Sequence, residues 1–240
     1  MEETQYRFSS ATLGNERTIW IREAPEPSQP FHLAIFLDAE LYRDRVGAVA
    51  IIKHLESTAR LANTLFGFVS VESDESRWKE CPCHAPFADF LNGELVPWLQ
   101  DRYPPLTAAS ERVLIGLSYS GLAALFVASS PQSTFNRVIA QSGSFWWNHC
   151  FLTETFRTSD RPVPAEIYLD VGSEETAINV LHKEDVLQVV SQLDAVRQLR
   201  DVLITRGAKV SYLEFPGGHT TDGWQKTLPS ALRWALPPGG

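Results

Sequence analysis

Two side chains in this 240-residue sequence have the type and setting for nucleophilic attack on an acyl carbon. In the run ERVLIGLSYSGLAALFVASS, an apolar strand stops at Gly116, Ser118 follows two residues later, and a helix-forming stretch begins almost at once. A serine on such a sharp strand-to-helix turn is held with its oxygen exposed, and small neighbours are needed where the turn packs strand against helix. The next N–H, that of Tyr119, lies at the helix N-terminus, where the dipole favours a developing oxyanion. The competing role for Ser118 is to cap the following helix. The spacing departs from Gly-x-Ser-x-Gly, because Ser120 stands where the second glycine is expected. Reading Ser120 as the nucleophile instead would require a small residue at 122, which is Leu122.

A serine needs a base, and of the six histidines His219 has the setting for one. It lies in FPGGHTTDGW, a Gly-rich loop between the last apolar strand and a final helix. His32 and His54 fall within a strand and a helix, and His84, His149 and His182 fall on connections that do not follow the last strand. The chain order serine, acid, histidine is the one this strand–turn–helix arrangement uses. Between Ser118 and His219, EIYLDV runs into GSEETAINV, where a carboxylate would orient the imidazole and stabilise its protonated form. Glu175, beyond the strand end, is the first choice. Asp170 is still inside the strand and Glu174 is expected to face away, while the alternative for both glutamates is a pair of solvated loop charges.

Positioning these groups takes a sheet. Apolar runs of strand length alternate with longer segments of helical period, the pattern of an α/β fold with a mostly parallel central sheet and helices on both faces. Tyr6–Ser10 and Thr18–Glu23 flank Leu-Gly-Asn at 13–15 and read as an antiparallel N-terminal hairpin. Further strands are expected at His32–Leu37, Leu65–Val71, Arg112–Gly116, Arg137–Gln141, Glu166–Val171 and Lys209–Phe215. Helices are expected over Val46–Asn63, Pro86–Tyr103 and Glu184–Arg206, the last with Val186, Val189, Val190, Leu193, Val196 and Leu199 on one broad face. No repeat or composition break divides the chain, so residues 1–240 are expected to form one domain.

Composition narrows the classes of partner. A net charge of -8, without clustered Lys and Arg, argues against nucleic acid. No apolar run reaches the roughly 18 residues of a membrane span. The start, MEETQYRFSS, is acidic where a secretory signal is basic and then apolar, so a cytoplasmic protein is expected. Cys81, Cys83 and Cys150 supply neither a disulfide framework nor, with His84, a metal-ligand set.

The stretches SATLGNERTIWI, FLDAELY, SRWKECPCHAPFADFLNGELVPWL, IGLSYSGLAALF, AQSGSFWW and GGHTTDGW together resemble the catalytic domain of enterochelin (ferric enterobactin) esterases. More broadly, they resemble the esterase D group of α/β-hydrolases, in the expected order and over nearly the whole chain. The resemblance implies cofactor-free hydrolysis of a carboxylic ester, either a catecholate siderophore or another small ester such as a feruloyl or acetyl-sugar ester. It also implies a second oxyanion-hole N–H from Ala39, where the family usually has glycine. An Arg-x-x-Glu unit at the substrate entrance is matched by Arg77 and Glu80, for which a surface ion pair is the plainer role. Trp146, in QSGSFWW, is implied as a substrate contact, although aromatic packing at a strand end accounts for it equally well. A non-catalytic binding protein on the same fold is the reading from another class.

Overall fold

The computed structural model describes residues 3–238. Strands β1 (Thr4–Ser10) and β2 (Asn15–Arg22) form an antiparallel hairpin closing with Ser10 opposite Asn15. The chain continues through β3 (His32–Leu37), α1 (Ala48–Ser57), β4 (Thr64–Val69), α2 (Asp74–Glu80), α3 (Ala85–Asp89) and α4 (Val96–Arg102). It then runs through β5 (Arg112–Leu117), α5 (Ser118–Ala128), β6 (Arg137–Gln141), α6 (Trp147–Thr158) and β7 (Glu166–Gly172). A small hairpin, β8 (Val180–Lys183) and β9 (Val186–Gln188), precedes α7 (Gln192–Thr205), β10 (Lys209–Phe215) and α8 (Thr221–Ala235).

The eight long strands make one sheet in the order β1-β2-β4-β3-β5-β6-β7-β10. Only the β1/β2 and β2/β4 pairs are antiparallel; every pair from β4 through β10 is parallel. Successive side chains of a strand point to opposite faces, so a sheet covered on both sides buries every position. β3 illustrates this: Leu33, Ile35 and Leu37 join the core under α4, α5 and α7, whereas Ala34 and Phe36 join the core under α1 and α8. This is the α/β-hydrolase arrangement, with the parallel strands ending at a common edge where loops converge.

Two expected helices change shape. Val186 to Val190 does not belong to the helix expected over Glu184–Arg206; β-branched residues favour an extended backbone, Val186–Gln188 pairs with β8, and Val189 and Val190 lead on to the helix cap. The helix starts only at Gln192, because Ser191 caps it by accepting from the Asp194 N–H at 3.0 Å. The helix expected over Val46–Asn63 is confined to α1, entered through Gly47 at φ 74°. Over 86–103 the helical course holds, with a wide turn at Phe90–Leu95 just before Pro97, which has no N–H to give to the preceding turn. No helix among the described residues is long and apolar enough to cross a membrane.

Candidate active site

Ser118 is the first residue of α5, directly after β5, and its φ is +51°, a left-handed backbone that non-glycine residues rarely hold. The turn is tight enough that a Cβ on Gly116 would lie 2.0 Å from the Ser120 carbonyl oxygen. Ser120, wholly buried, braces the turn: its hydroxyl donates to the Leu117 carbonyl at 2.8 Å and accepts from the Leu117 N–H at 3.0 Å. The departure from the glycine spacing therefore adds hydrogen bonds where a glycine would add none. Ser120→Ala is expected to keep ester turnover within about threefold of wild type while losing about 1 kcal/mol of stability in urea unfolding. A dead but folded variant would move the nucleophile to Ser120.

The histidine and the acid reach Ser118 from two loops at the same sheet edge. His219 Nε2 lies 3.0 Å from Ser118 Oγ, and His219 Nδ1 lies 2.6 Å from Glu175 Oε2. The other carboxylate oxygen, Glu175 Oε1, accepts from the Ser142 hydroxyl at 2.6 Å and from the Gly172 N–H at 2.7 Å. Glu175 is buried, whereas Glu174 is exposed and its backbone N–H donates to the Gly217 carbonyl at 2.9 Å. The acid and histidine loops touch at Gly172, where a Cβ would meet that same Gly217 oxygen at 2.4 Å. Only glycine permits that approach.

Two backbone segments at the ends of the adjacent strands β5 and β3 carry the expected oxyanion donors. Tyr119 lies in the first turn of α5, whose N–H groups have no intrahelical acceptor. Ala39, buried, follows Asp38, whose φ of 57° turns the chain sharply out of β3. Arg77 holds that turn: its Nη2 donates to Asp38 Oδ2 at 2.7 Å and its Nε to both carboxylate oxygens at 2.9 Å.

Arg77 thus reaches the pocket, but with its charge already matched by Asp38. Glu80 does not reach it. It is buried and paired at 2.9 Å with Arg17, so Arg77 and Glu80 do not form one entrance unit. Helical spacing of three residues did not bring the two side chains together because each found a separate buried partner.

The cleft above Ser118 has a volume of about 390 Å³ and aromatic walls. Trp78 meets the Tyr119 ring edge-on at 4.7 Å, and Trp146 meets it at 5.7 Å. Trp146 is fixed by its indole N–H, which donates to Gln192 Oε1 at 2.5 Å, while Gln192 Nε2 donates to the Gly143 carbonyl at 2.6 Å. Burial pushes the Tyr119 phenol well above its ordinary range, against the opposing pull of Arg77, so it stays neutral. The roof comes from the β8/β9 hairpin: His182 stacks on Trp146 at 4.7 Å, and Lys183 Nζ lies 4.8 Å from the centre of the Trp78 ring.

Several of these residues carried no clear signal in the sequence. Ser144, whose Oγ is 3.4 Å from Ser118 Oγ, and Ser142 both lie in the QSGS run, noticed there for its aromatic neighbours. His182 reaches the pocket only because an unforeseen hairpin folds back over it. Trp224 of α8, which donates to Ser142 Oγ at 3.0 Å and meets the His219 ring edge-on at 4.9 Å, lies just past the histidine loop.

The strand order and the strand–turn–helix serine define the class as α/β-hydrolase. A family model described as "Putative esterase" matches residues 10–235, and the chain belongs to that esterase family. An iron(III) enterobactin esterase of Dickeya dadantii is 28% identical over 234 residues, 95% of this chain and 54% of that protein. A siderophore triacetylfusarinine C esterase of Aspergillus fumigatus is 41% identical over 69 residues, 28% of this chain and 23% of that protein. Among solved structures, the enterobactin esterase of Shigella flexneri in the presence of enterobactin superimposes with a TM-score of 0.86 at 23% identity. That superposition covers 98% of this chain and 58% of the other, and the likeness is one of fold. The chain spans about half the length of the Dickeya relative.

Proposed function

We propose that this protein is a serine esterase cleaving siderophore esters of the enterobactin kind. The observation that carries the reading is the hydrogen-bonded series Ser118–His219–Glu175, opening into a cleft walled by Trp78, Tyr119 and Trp146. His219 Nε2 takes the Ser118 proton as Oγ attacks the ester carbonyl, and Glu175 stabilises the imidazolium that forms. The N–H groups of Tyr119 and Ala39 receive the tetrahedral oxyanion. His219 then protonates the departing alkoxide, leaving an acyl-Ser118. A water deprotonated by His219 attacks that ester, and collapse returns the proton to Ser118 and frees the acid.

The substrate class follows from the walls together with the relatives' activities. Flat aromatic acyl groups stack on indole and phenol rings, and Lys183 at the roof suits the negative charge of a catecholate. A panel comparing a catecholate serine trilactone, a feruloyl ester and an acetylated sugar tests this. The trilactone is expected to have a kcat/KM at least about 100-fold above the acetylated sugar, the 2.7 kcal/mol or so that two aromatic contacts supply. Equal rates, or a preference for the sugar ester, would overturn the siderophore assignment and leave the esterase chemistry standing.

A further inference from the structure

We propose that Asp170 is a positioning residue for the Glu175–His219 pair, an inference that rests on the esterase reading above. Asp170 is wholly buried near the end of β7, and no step of the reaction uses it. Its Oδ1 accepts from the Ser142 N–H at 3.1 Å. Its Oδ2 accepts from Thr227 Oγ1 at 2.6 Å and from Gln141 Nε2 at 3.4 Å. One carboxyl therefore ties together the end of β6, the turn that follows it, and α8.

Two of the elements so tied touch the acid and the base from behind. Ser142 gives its hydroxyl to Glu175 Oε1, and α8 carries Trp224, which donates to Ser142 and packs on the His219 ring. Ser142 also has a φ of 43°, a left-handed backbone that persists only where the surroundings impose it. Both the carbonyl and the carboxyl of Asp170 accept the Ser142 N–H, at 2.9 and 3.1 Å. The strained turn that aims Ser142 at Glu175 is thus held by Asp170.

The ionisable groups facing Asp170 are few. Glu175 approaches from the loop after β7, and Tyr168 lies two residues earlier on the same strand. Tyr42, from the turn at Leu41–Val46, donates to Gln141 Oε1 at 3.0 Å. Its neighbours across β6 and β10, Gln141 and Leu213, and the α8 residues Trp224 and Thr227 carry no charge. Burial pushes the Asp170 carboxyl up to about 7; Thr227, Gln141 and the Ser142 N–H pull against it, and Glu175 adds a smaller upward push. Asp170 therefore gains its charge near neutral pH, and that second negative charge behind Glu175 favours the imidazolium formed when Ser118 loses its proton.

The test compares wild type with Asp170→Asn, Thr227→Val and Thr227→Ser. In wild type, kcat for a p-nitrophenyl ester should rise with pH more steeply than one ionisation allows. In Asp170→Asn the rise should follow one ionisation, with kcat at pH 8 about tenfold lower and KM unchanged, the size of effect seen when a residue that orients a reacting group is lost. Thr227→Val, which removes a donor to the charged form, should move the upper ionisation to higher pH, and Thr227→Ser should restore it.

Folding reports the same carboxyl independently. A folded value near 7 above an unfolded one of about 3.9 means that wild type loses stability relative to Asp170→Asn as pH rises from about 4 to 7, and no further above that. The low-field NMR signal of the His219 Nδ1 proton reads the Glu175 contact without substrate, and it should shift in Asp170→Asn. If wild type cleaved no ester, the esterase reading would fail while this signal still judged Asp170. A folded Asp170→Asn with wild-type kcat, pH profile and proton signal overturns the proposal. Should that variant not fold, unchanged profiles in Thr227→Val do so.

Discussion

Ser118→Ala is expected to reduce hydrolysis of a p-nitrophenyl ester by about 10⁴-fold or more, with the unfolding midpoint close to that of wild type. The size follows from the division of labour in the site. His219 Nε2, 3.0 Å from Ser118 Oγ, has no other acyl acceptor to activate, so removing that oxygen leaves only the oxyanion donors acting on a water. The fold is spared because Oγ points into the cleft and is not part of the turn's bracing, which belongs to Gly116 and Ser120. Alanine still has to hold φ near +51°, a strain the wild-type serine already bears. A fluorophosphonate probe should label wild type at Ser118 and fail to label the variant. Turnover near wild type in a folded Ser118→Ala protein would remove the nucleophile assignment altogether, and with it the mechanism.

Glu175→Gln should lose about 10³ to 10⁴-fold in kcat, although it changes one atom. The reason lies in the donors that surround the carboxylate. Oε1 already faces two donors, the Ser142 hydroxyl and the Gly172 N–H, and Oε2 faces His219 Nδ1. An amide has a single acceptor oxygen. If that oxygen keeps the Ser142 and Gly172 bonds, the amide NH₂ faces Nδ1, which must then carry the lone pair. The proton moves to Nε2, and the imidazole can no longer accept one from Ser118. If the amide turns the other way, its NH₂ confronts two donors in a buried site. The first orientation keeps the buried Ser142 and Gly172 donors satisfied and disables the base, so Glu175→Gln should be about as poor as Glu175→Ala. The same variant should lose the low-field Nδ1 proton signal. A Glu175→Gln protein with more than about a tenth of wild-type kcat would leave a Ser118–His219 dyad as the working unit.

The strands were legible because a sheet buried on both faces writes itself as uninterrupted apolar runs, as in HLAIFL, TLFGFV and RVLIGL. The N-terminal hairpin was legible from Gly14, which takes the left-handed φ of 66° that its turn demands. Helix limits were less so. Val186, Val189 and Val190 have an apolar spacing compatible with a helix face, and only the pairing of Val186–Gln188 with β8 decides that this part of the run is extended. Such pairing depends on two segments meeting, which periodicity within one segment does not encode.

The placing of Ser118 and His219 and their order in the chain were legible in the sequence, because each depends on local features: a strand running into a helix through a small-residue turn, and a glycine loop after the last strand. What the tertiary structure alone decided was partnership. It buried Glu175 under two donors and left Glu174 outside, gave Arg77 to Asp38 and Glu80 to Arg17, and folded His182 over Trp146. A carboxylate or guanidinium has many chemically adequate partners along 240 residues, and the one it takes is fixed by which loops converge at the sheet edge. That convergence turned Ser118 and His219 from two well-placed residues into a hydrogen-bonded site with an acid behind it.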